Sequence, residues 1–222
     1  MQVWKFGGTS VGKPERMKSI RQLITEDGQP KIVVLSALSG STNTLLSISE
    51  SLNAGNAAEA KSKASELRAH YDQFLTELYS TPAGLGQGQA IVAKEFTFID
   101  SLIATSPYTV KQEKEMVALG ELLSTQIFEA FLQEEGISSA LLPALDFMVI
   151  DEDNEPILKV IEQKLAAVLA PVKDKQIFVT QGFICRNPAG EVDNLKRGGS
   201  DYTASLIAAA INASVCEIWT DI

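Results

Sequence analysis

The chain has 222 residues, 45% hydrophobic and 21% charged, a balance that suits one soluble α/β domain with a sizeable core. Its formal charge of −9 excludes nucleic-acid binding as the main task, because phosphate-backbone affinity is carried by clustered Lys and Arg. No apolar run approaches the roughly 18 residues that span a bilayer, and no basic segment followed by an apolar stretch opens the chain, so no membrane partner and a cytoplasmic location are expected.

In chain order, "QVWKF" is a short apolar-rich run that ends in two glycines. The following "PERMKSIRQLI" sets Met17, Ile20, Leu23 and Ile24 at helical spacing behind a proline suited to a first helical turn. "KIVVL" reads as a buried strand, and "SALSGSTN" as a small-residue loop feeding the apolar-periodic "TLLSISESL". Residues 57–79 and 88–104 read as two helices separated by the Gly/Pro-rich "STPAGLGQG". A long amphipathic helix follows, with Met116, Leu119, Leu123, Ile127 and Phe131 along one stripe. "SSALL" and "FMVI" are expected as short strands, "ILKVIEQKLAAVLA" as a helix closed by Pro171, and "QIFVTQGFIC" as one central strand. "RNPAGEVDN" is a turn-rich excursion before a second glycine loop, a helix, and a last strand begun by "CEIWTDI". Strands alternating with helices predict a mainly parallel sheet covered on both faces. A chain that stops inside a strand reads as the front part of something longer.

The two cysteines, Cys185 and Cys216, stand without C-x-x-C spacing or a histidine cluster, so buried thiols are expected and neither zinc nor a disulfide framework. His70, the one histidine, sits in a polar helical stretch without a nucleophile elbow and is given a structural reading. The sequon at Asn212 has no meaning in a cytoplasmic protein.

The chemistry-bearing residues lie in the loops. Gly7, Gly12 and Lys13 satisfy G-x-x-x-x-G-K, but Pro14 stands where a P-loop needs a hydroxyl for Mg2+, so Lys13 carries no role. Lys5 instead ends the first strand, where its ammonium can project over the carboxyl edge of the sheet, and Gly7 and Gly8 let a phosphate approach backbone amides. A plain tight turn is the alternative for "GGTS". In "KRGGSD", Arg197 offers a fork for a carboxylate, Gly198 and Gly199 expose donors, and Ser200 with Asp201 opens a helix, where Asp201 can be an N-cap and still be catalytic. Two such loops facing one cleft suit phosphoryl transfer onto an anionic acceptor. Glu121 lies close to the apolar stripe, and a half-buried carboxylate needs a cation: a ligand ammonium or an internal Lys or Arg.

"KFGGTSV" at 5–11, "VVLSALSGSTN" at 33–43, Gly120 and Glu121, "QGF" at 181–183, "RGGSDYTA" at 197–204 and "EIWTDI" at 217–222, in this order, closely resemble the aspartokinases of the amino acid kinase family. Residues 199–222 look particularly like the kinase part of bifunctional aspartokinase/homoserine dehydrogenases. The resemblance covers residues 1–222. It implies a three-layer αβα sandwich, truncated within the C-terminal ATP lobe, with an amino-acid-binding lobe and the start of a nucleotide lobe. It further implies transfer of the γ-phosphoryl of ATP to the side-chain carboxylate of L-aspartate, giving 4-phospho-L-aspartate on the way to lysine, threonine and methionine. Mg2+ would be held mainly through the nucleotide, with no dedicated metal residues.

By the same resemblance Lys5 and Asp201 are catalytic, and Thr42, Glu121, Arg197 and Ser200 hold aspartate, with Glu121 on the α-ammonium and Arg197 on the α-carboxylate. Lys5, Gly7, Gly8, Thr9, Thr220 and Asp221 meet the nucleotide. A homo-oligomer and an allosteric amino-acid effector acting through further domains are implied for the whole protein, and residues 1–222 alone are expected to have little or no kinase activity. Lys196 departs from the family's common Gly, and Ala118 from its frequent Ser. Glutamate, acetylglutamate, carbamate and UMP kinases share similar loops, and a non-catalytic amino-acid-binding module is the reading from another class. A Rossmann dehydrogenase is disfavoured by the missing G-x-G-x-x-G.

Overall fold

Short apolar strands that pair in parallel must be covered on both faces, and the chain supplies a helical layer for each. A computed structural model describes residues 1–196 and 198–220. Its elements in order are β1 (Gln2–Phe6), α1 (Gly8–Val11), α2 (Pro14–Thr25), β2 (Lys31–Leu35), α3 (Ser41–Asn53), α4 (Ala57–Leu78), α5 (Pro82–Ile103), α6 (Val110–Glu134) and β3 (Ser139–Leu142). There follow α7 (Ala144–Phe147), α8 (Leu158–Leu169) with a 3-10 turn at Ala170–Val172, β4 (Ile177–Gln181), β5 (Ile184–Arg186), β6 (Val192–Asn194), α9 (Gly199–Ala210) and β7 (Cys216–Trp219).

The main sheet has the order β3-β4-β2-β1-β7, with every pairing parallel. Side chains alternate across it. Trp4, Phe6, Val33, Leu35 and Val179 face the layer built by α2 to α6, whereas Val3, Ile32, Val34 and Phe178 face α7, α8 and α9. The α/β class with a mainly parallel, doubly covered sheet is as the sequence patterning predicts. The stripe of Met116, Leu119, Leu123, Ile127 and Phe131 is buried in the first layer. At the open end of the sheet Trp219 packs on Trp4 and Phe6, with ring centroids 5.3 and 5.9 Å apart.

Four local expectations are corrected. Helix α5 begins at Pro82 under a Thr81 cap, so the "TPAGLGQG" stretch is its first two turns and not a break. "FMVI" forms no strand: Phe147 ends α7, and Val149 and Ile150 make isolated bridges to Arg186 and Pro156. "QIFVTQGFIC" is two strands, because Phe183 at φ +67 turns the chain out of the main sheet into the antiparallel β5–β6 hairpin that occupies the turn-rich excursion. Cys185 is buried as expected, but Cys216 is exposed, since β7 has a neighbour on one side only among the described residues.

Why glycines tolerate a helical role in α5 is a matter of close approach. A Cβ on Gly88 would fall 2.5 Å from the Tyr79 ring and 3.0 Å from Leu75, and the ring is held by the Tyr79 hydroxyl donating to the Ile127 carbonyl at 2.8 Å. Gly86, two residues earlier, would meet nothing. Gly88→Ala is therefore expected to destabilise the fold by about 1–3 kcal/mol through overpacking. Gly86→Ala should stabilise it by roughly 0.5–1 kcal/mol through lower unfolded-state entropy. Midpoints of urea unfolding for the two variants check this opposite pair of signs.

Candidate functional site

The site grows from the carboxyl ends of β1 and β2, the edge where open α/β sheets collect ligands. Strand alternation puts Lys5 on the same face as Val3, toward α9, and its side chain reaches the first turn of that helix. Lys5 Nζ lies 2.7 Å from Asp201 Oδ1, with the lysine largely buried and the aspartate open to solvent. Gly198, at φ +67, is the N-cap of α9, so Asp201 sits inside the first turn and does not cap it. There its charge meets both the helix N-terminus and the Lys5 ammonium.

Gly7 and Gly8 follow β1 directly and lead into α1. A Cβ on Gly7 would occupy the space 3.3 Å from Lys5 Nζ, and one on Gly8 would press 3.0 Å against the Ala37 carbonyl. Only glycine leaves the ground beside the ammonium open. Thr9 is exposed, and its carbonyl accepts from Arg16 at 2.6 Å. Lys13 lies elsewhere, at a separate depression lined also by His70, Gln73 and Glu77, which accords with Pro14 having cancelled the P-loop reading.

Beside the Lys5–Asp201 pair is a cavity of about 350 Å³ whose lining includes Gly8, Ser36, Thr42, Glu121, Phe183 and Ser200. Its wall is tied together by hydroxyls: Ser36 Oγ donates to Ser200 Oγ at 2.9 Å, and Ser124 Oγ donates to the Ser36 carbonyl at 2.8 Å. Glu121 projects from α6, where Gly120 lets the helix press against Ala37; a Cβ there would come within 2.8 Å of the Ala37 methyl. The Glu121 residue is only 4% exposed. One oxygen, Oε1, accepts the Ala37 N–H at 3.3 Å, while Oε2 has no partner among the described residues. Burial raises the carboxyl from 4.5 to about 7, against the weaker opposing pull of the Ala37 N–H. What this oxygen lacks is a hydrogen-bond donor.

Thr42, Glu121 and Ser200 thus line one cavity, and Lys5 with Asp201 stands next to it. Thr220 is exposed at the end of β7, whose residue Trp219 pairs with Phe6, so it borders the Gly7 loop. Arg197 and Asp221 lie outside the described residues. Ser36 and Phe183 line the cavity although the sequence assigns them no role; they fall inside "VVLSALSGSTN" and "QGF", and the unassigned residues of those motifs were the available signal. Of the two departures, Lys196 is exposed on a second cavity beside Tyr202, and Ala118 is buried in the apolar layer. Among the described residues no cluster of His, Cys, Asp and Glu is suited to hold a metal.

A family model described as the amino acid kinase family matches residues 1–222. The chain belongs to that family. Within this amino acid kinase, 225 residues align at 32% identity with the lysine-sensitive aspartokinase 3 of Escherichia coli (strain K12), covering 99% of this chain and 49% of that protein. A bifunctional aspartokinase/homoserine dehydrogenase of Haemophilus influenzae is 29% identical over 238 residues, covering 100% of this chain and 28% of the relative. The crystal structure of E. coli aspartokinase III in complex with aspartate and ADP superposes with a TM-score of 0.83 at 30% identity, over 100% of this chain and 49% of that one. The chain therefore spans about half the length, or less, of these relatives. No described helix of the chain is long and apolar enough to cross a membrane.

The raised Glu121 carboxyl makes the ligand-free fold sensitive to pH. A folded value near 7 against an unfolded one of 4.5 means that the native state holds a proton the unfolded chain has released. This contribution is fully present below the unfolded value and is lost as pH rises through the folded one. Glu121→Gln removes it, so the variant's stability relative to the parent should rise by up to about 3 kcal/mol between pH 4.5 and 8. Urea unfolding of both proteins across that range measures the difference.

Proposed function

We propose that this amino acid kinase carries out ATP-dependent phosphorylation of the side-chain carboxylate of L-aspartate, giving 4-phospho-L-aspartate. The observation that carries the reading is the buried, half-satisfied Glu121 in a cavity next to the Lys5–Asp201 pair. A buried carboxylate oxygen without a partner is costly, and the α-ammonium of an amino acid removes the cost. Arg197 receives the α-carboxylate, and Thr42 and Ser200 add polar contacts, leaving the side chain to run toward Lys5. That acceptor carboxylate oxygen attacks the γ-phosphorus, a P–O bond to the acceptor forms, the bond to the β,γ-bridging oxygen breaks, and ADP leaves with the electron pair. No proton need move to a protein base, so catalysis consists of positioning and charge stabilisation. Lys5 compensates the charge on the transferring phosphoryl group, and Asp201 fixes where its ammonium points.

Gly7, Gly8 and Thr9, with Thr220 and Asp221, form the nucleotide side, and the space left beside Lys5 Nζ by the absent Gly7 side chain suits a phosphate oxygen. Mg2+ would be held mainly through the nucleotide phosphates and would supply further charge neutralisation. Residues 1–222 comprise the amino-acid lobe and the start of the nucleotide lobe, and little turnover is expected of them alone, given relatives about twice as long. A cytoplasmic homo-oligomer regulated by an amino acid completes the reading, in line with the lysine sensitivity in the name of the E. coli relative.

The test is aspartate-dependent ADP formation by the intact protein against a panel of L-glutamate, N-acetylglutamate, carbamate and UMP. Aspartate alone should support turnover, and Lys5→Ala should lower kcat by about 100- to 1,000-fold. Calorimetry at pH 6 in buffers of different ionisation heat should show proton release from Glu121 on aspartate binding, lost in Glu121→Gln. Equal turnover with glutamate, or unchanged kcat in Lys5→Ala, overturns the reading.

A further inference from the structure

Helix α3 carries Thr42 into the cavity, yet no side chain of its own caps it. Its N-cap is Gly40, at φ +87. The Ser41 N–H donates back to the Leu38 carbonyl at 3.0 Å and the Thr44 hydroxyl to the Gly40 carbonyl at 3.2 Å, so both bonds stay within the segment. What ties this turn to another helix is Ser41, whose Oγ lies 3.0 Å from the hydroxyl of Tyr71 on α4. Ser41 is 1% exposed and Tyr71 is fully buried. The Tyr71 ring is itself set edge-on to Phe96 of α5, with centroids 6.1 Å apart.

The same turn of α3 rests against α6. A Cβ on Gly120 would fall 3.4 Å from Leu45 and 3.8 Å from Thr42 Oγ1, so the Thr42 hydroxyl stands beside the helix turn that projects Glu121. Burial raises the Tyr71 hydroxyl above its ordinary value, the bond with Ser41 opposes this, and the Glu121 carboxylate adds to it. The phenol is therefore within electrostatic reach of that carboxylate. Two buried hydroxyls that satisfy each other add little net stability over apolar groups of the same shape. What a satisfied buried polar pair does is rigidify one arrangement. Here the arrangement is that of Thr42 against Glu121.

We propose that Tyr71 and Ser41 are positioning residues that hold Thr42 at a fixed distance from Glu121 and so tune affinity for the amino-acid acceptor. This rests on the aspartate kinase reading. Neither side chain lines the cavity, and both act through the first turn of α3. Lys5 is held on the opposite face of the sheet, by Asp201 of α9. A shift of α3 leaves that ion pair in place, so the two substrates should respond differently.

The experiment compares Tyr71→Phe, Ser41→Ala and the double variant in the intact protein, by steady-state kinetics in both substrates and by urea unfolding. Each single variant strands one buried hydroxyl, whereas the double removes both and nearly keeps the shape, so its unfolding midpoint should stay close to the parent's. The expected result is an aspartate KM raised about tenfold in each single and, with no further rise, in the double. Meanwhile the KM for ATP and kcat should stay within roughly twofold. A double variant with parental aspartate KM, or a rise in both KM values that tracks the unfolding midpoint, overturns the proposal. If the parent protein forms no ADP with aspartate, the kinase reading fails. Calorimetric affinity for L-aspartate across the same variants then decides the positioning role: a tenfold weakening in the double upholds it, and equal affinity or no binding by the parent overturns it.

Discussion

The parallel pairing of β1 with β2 on one side and β7 on the other is the constraint from which the site follows. Parallel strands all end at the same edge, and each must leave that edge through a loop before a helix can return the chain. The loops after β1 and β2 therefore meet by topology, and with β7 beside them the Thr220 segment joins the same rim. Because Lys5 is the penultimate residue of the central strand of this trio, its ammonium stands where the loops converge. Asp201 fastens α9 to that point with one ion pair.

Charge is distributed over this rim in a way that suits an encounter of two anions. A carboxylate and a phosphate repel each other in water, and a protein of net charge −9 does not help by its overall field. What counts is local: a largely buried Lys5, open backbone at Gly7 and Gly8, and the start of α9. Glu121 is the apparent exception, a carboxylate added to an anion site. Its burial eases the conflict: with the carboxyl raised to about 7, a substantial share of it is uncharged near neutral pH while no cation stands beside it. The partnerless Oε2 is a cost to the fold that a donor entering the cavity would relieve.

Much of this was legible in the sequence, and the failures have physical causes. Strands β1 and β2 declare themselves as short apolar runs because both faces of the sheet are covered, and α6 by a helical stripe kept over many turns. The first turns of α5 do not, since the glycines there answer to the Tyr79 ring and Leu75, side chains that no local pattern connects to them. The break after Gln181 was hidden for a related reason: apolar residues continue on both sides of Gly182, and only the left-handed turn at Phe183, held by the Thr203 hydroxyl at 2.9 Å, diverts the second run into another sheet. At the site, the residue types of Lys5, Glu121 and Asp201 singled out positions that the fold brings to, or beside, one cavity. The part played by Ser36 depends on a hydroxyl contact with Ser200, 164 positions away, which sequence spacing does not encode.

The chain has two tryptophans, and they lie in contact across the β1–β7 pair. Intrinsic indole emission therefore reports on one place only, the seam between the central strand and the strand that leads to Thr220. Both indoles also pack against the layer built by α2 to α6, so loosening of that layer and any shift of β7 relative to β1 alike change their emission. The fold carries its own spectroscopic gauge at the seam between β1 and β7.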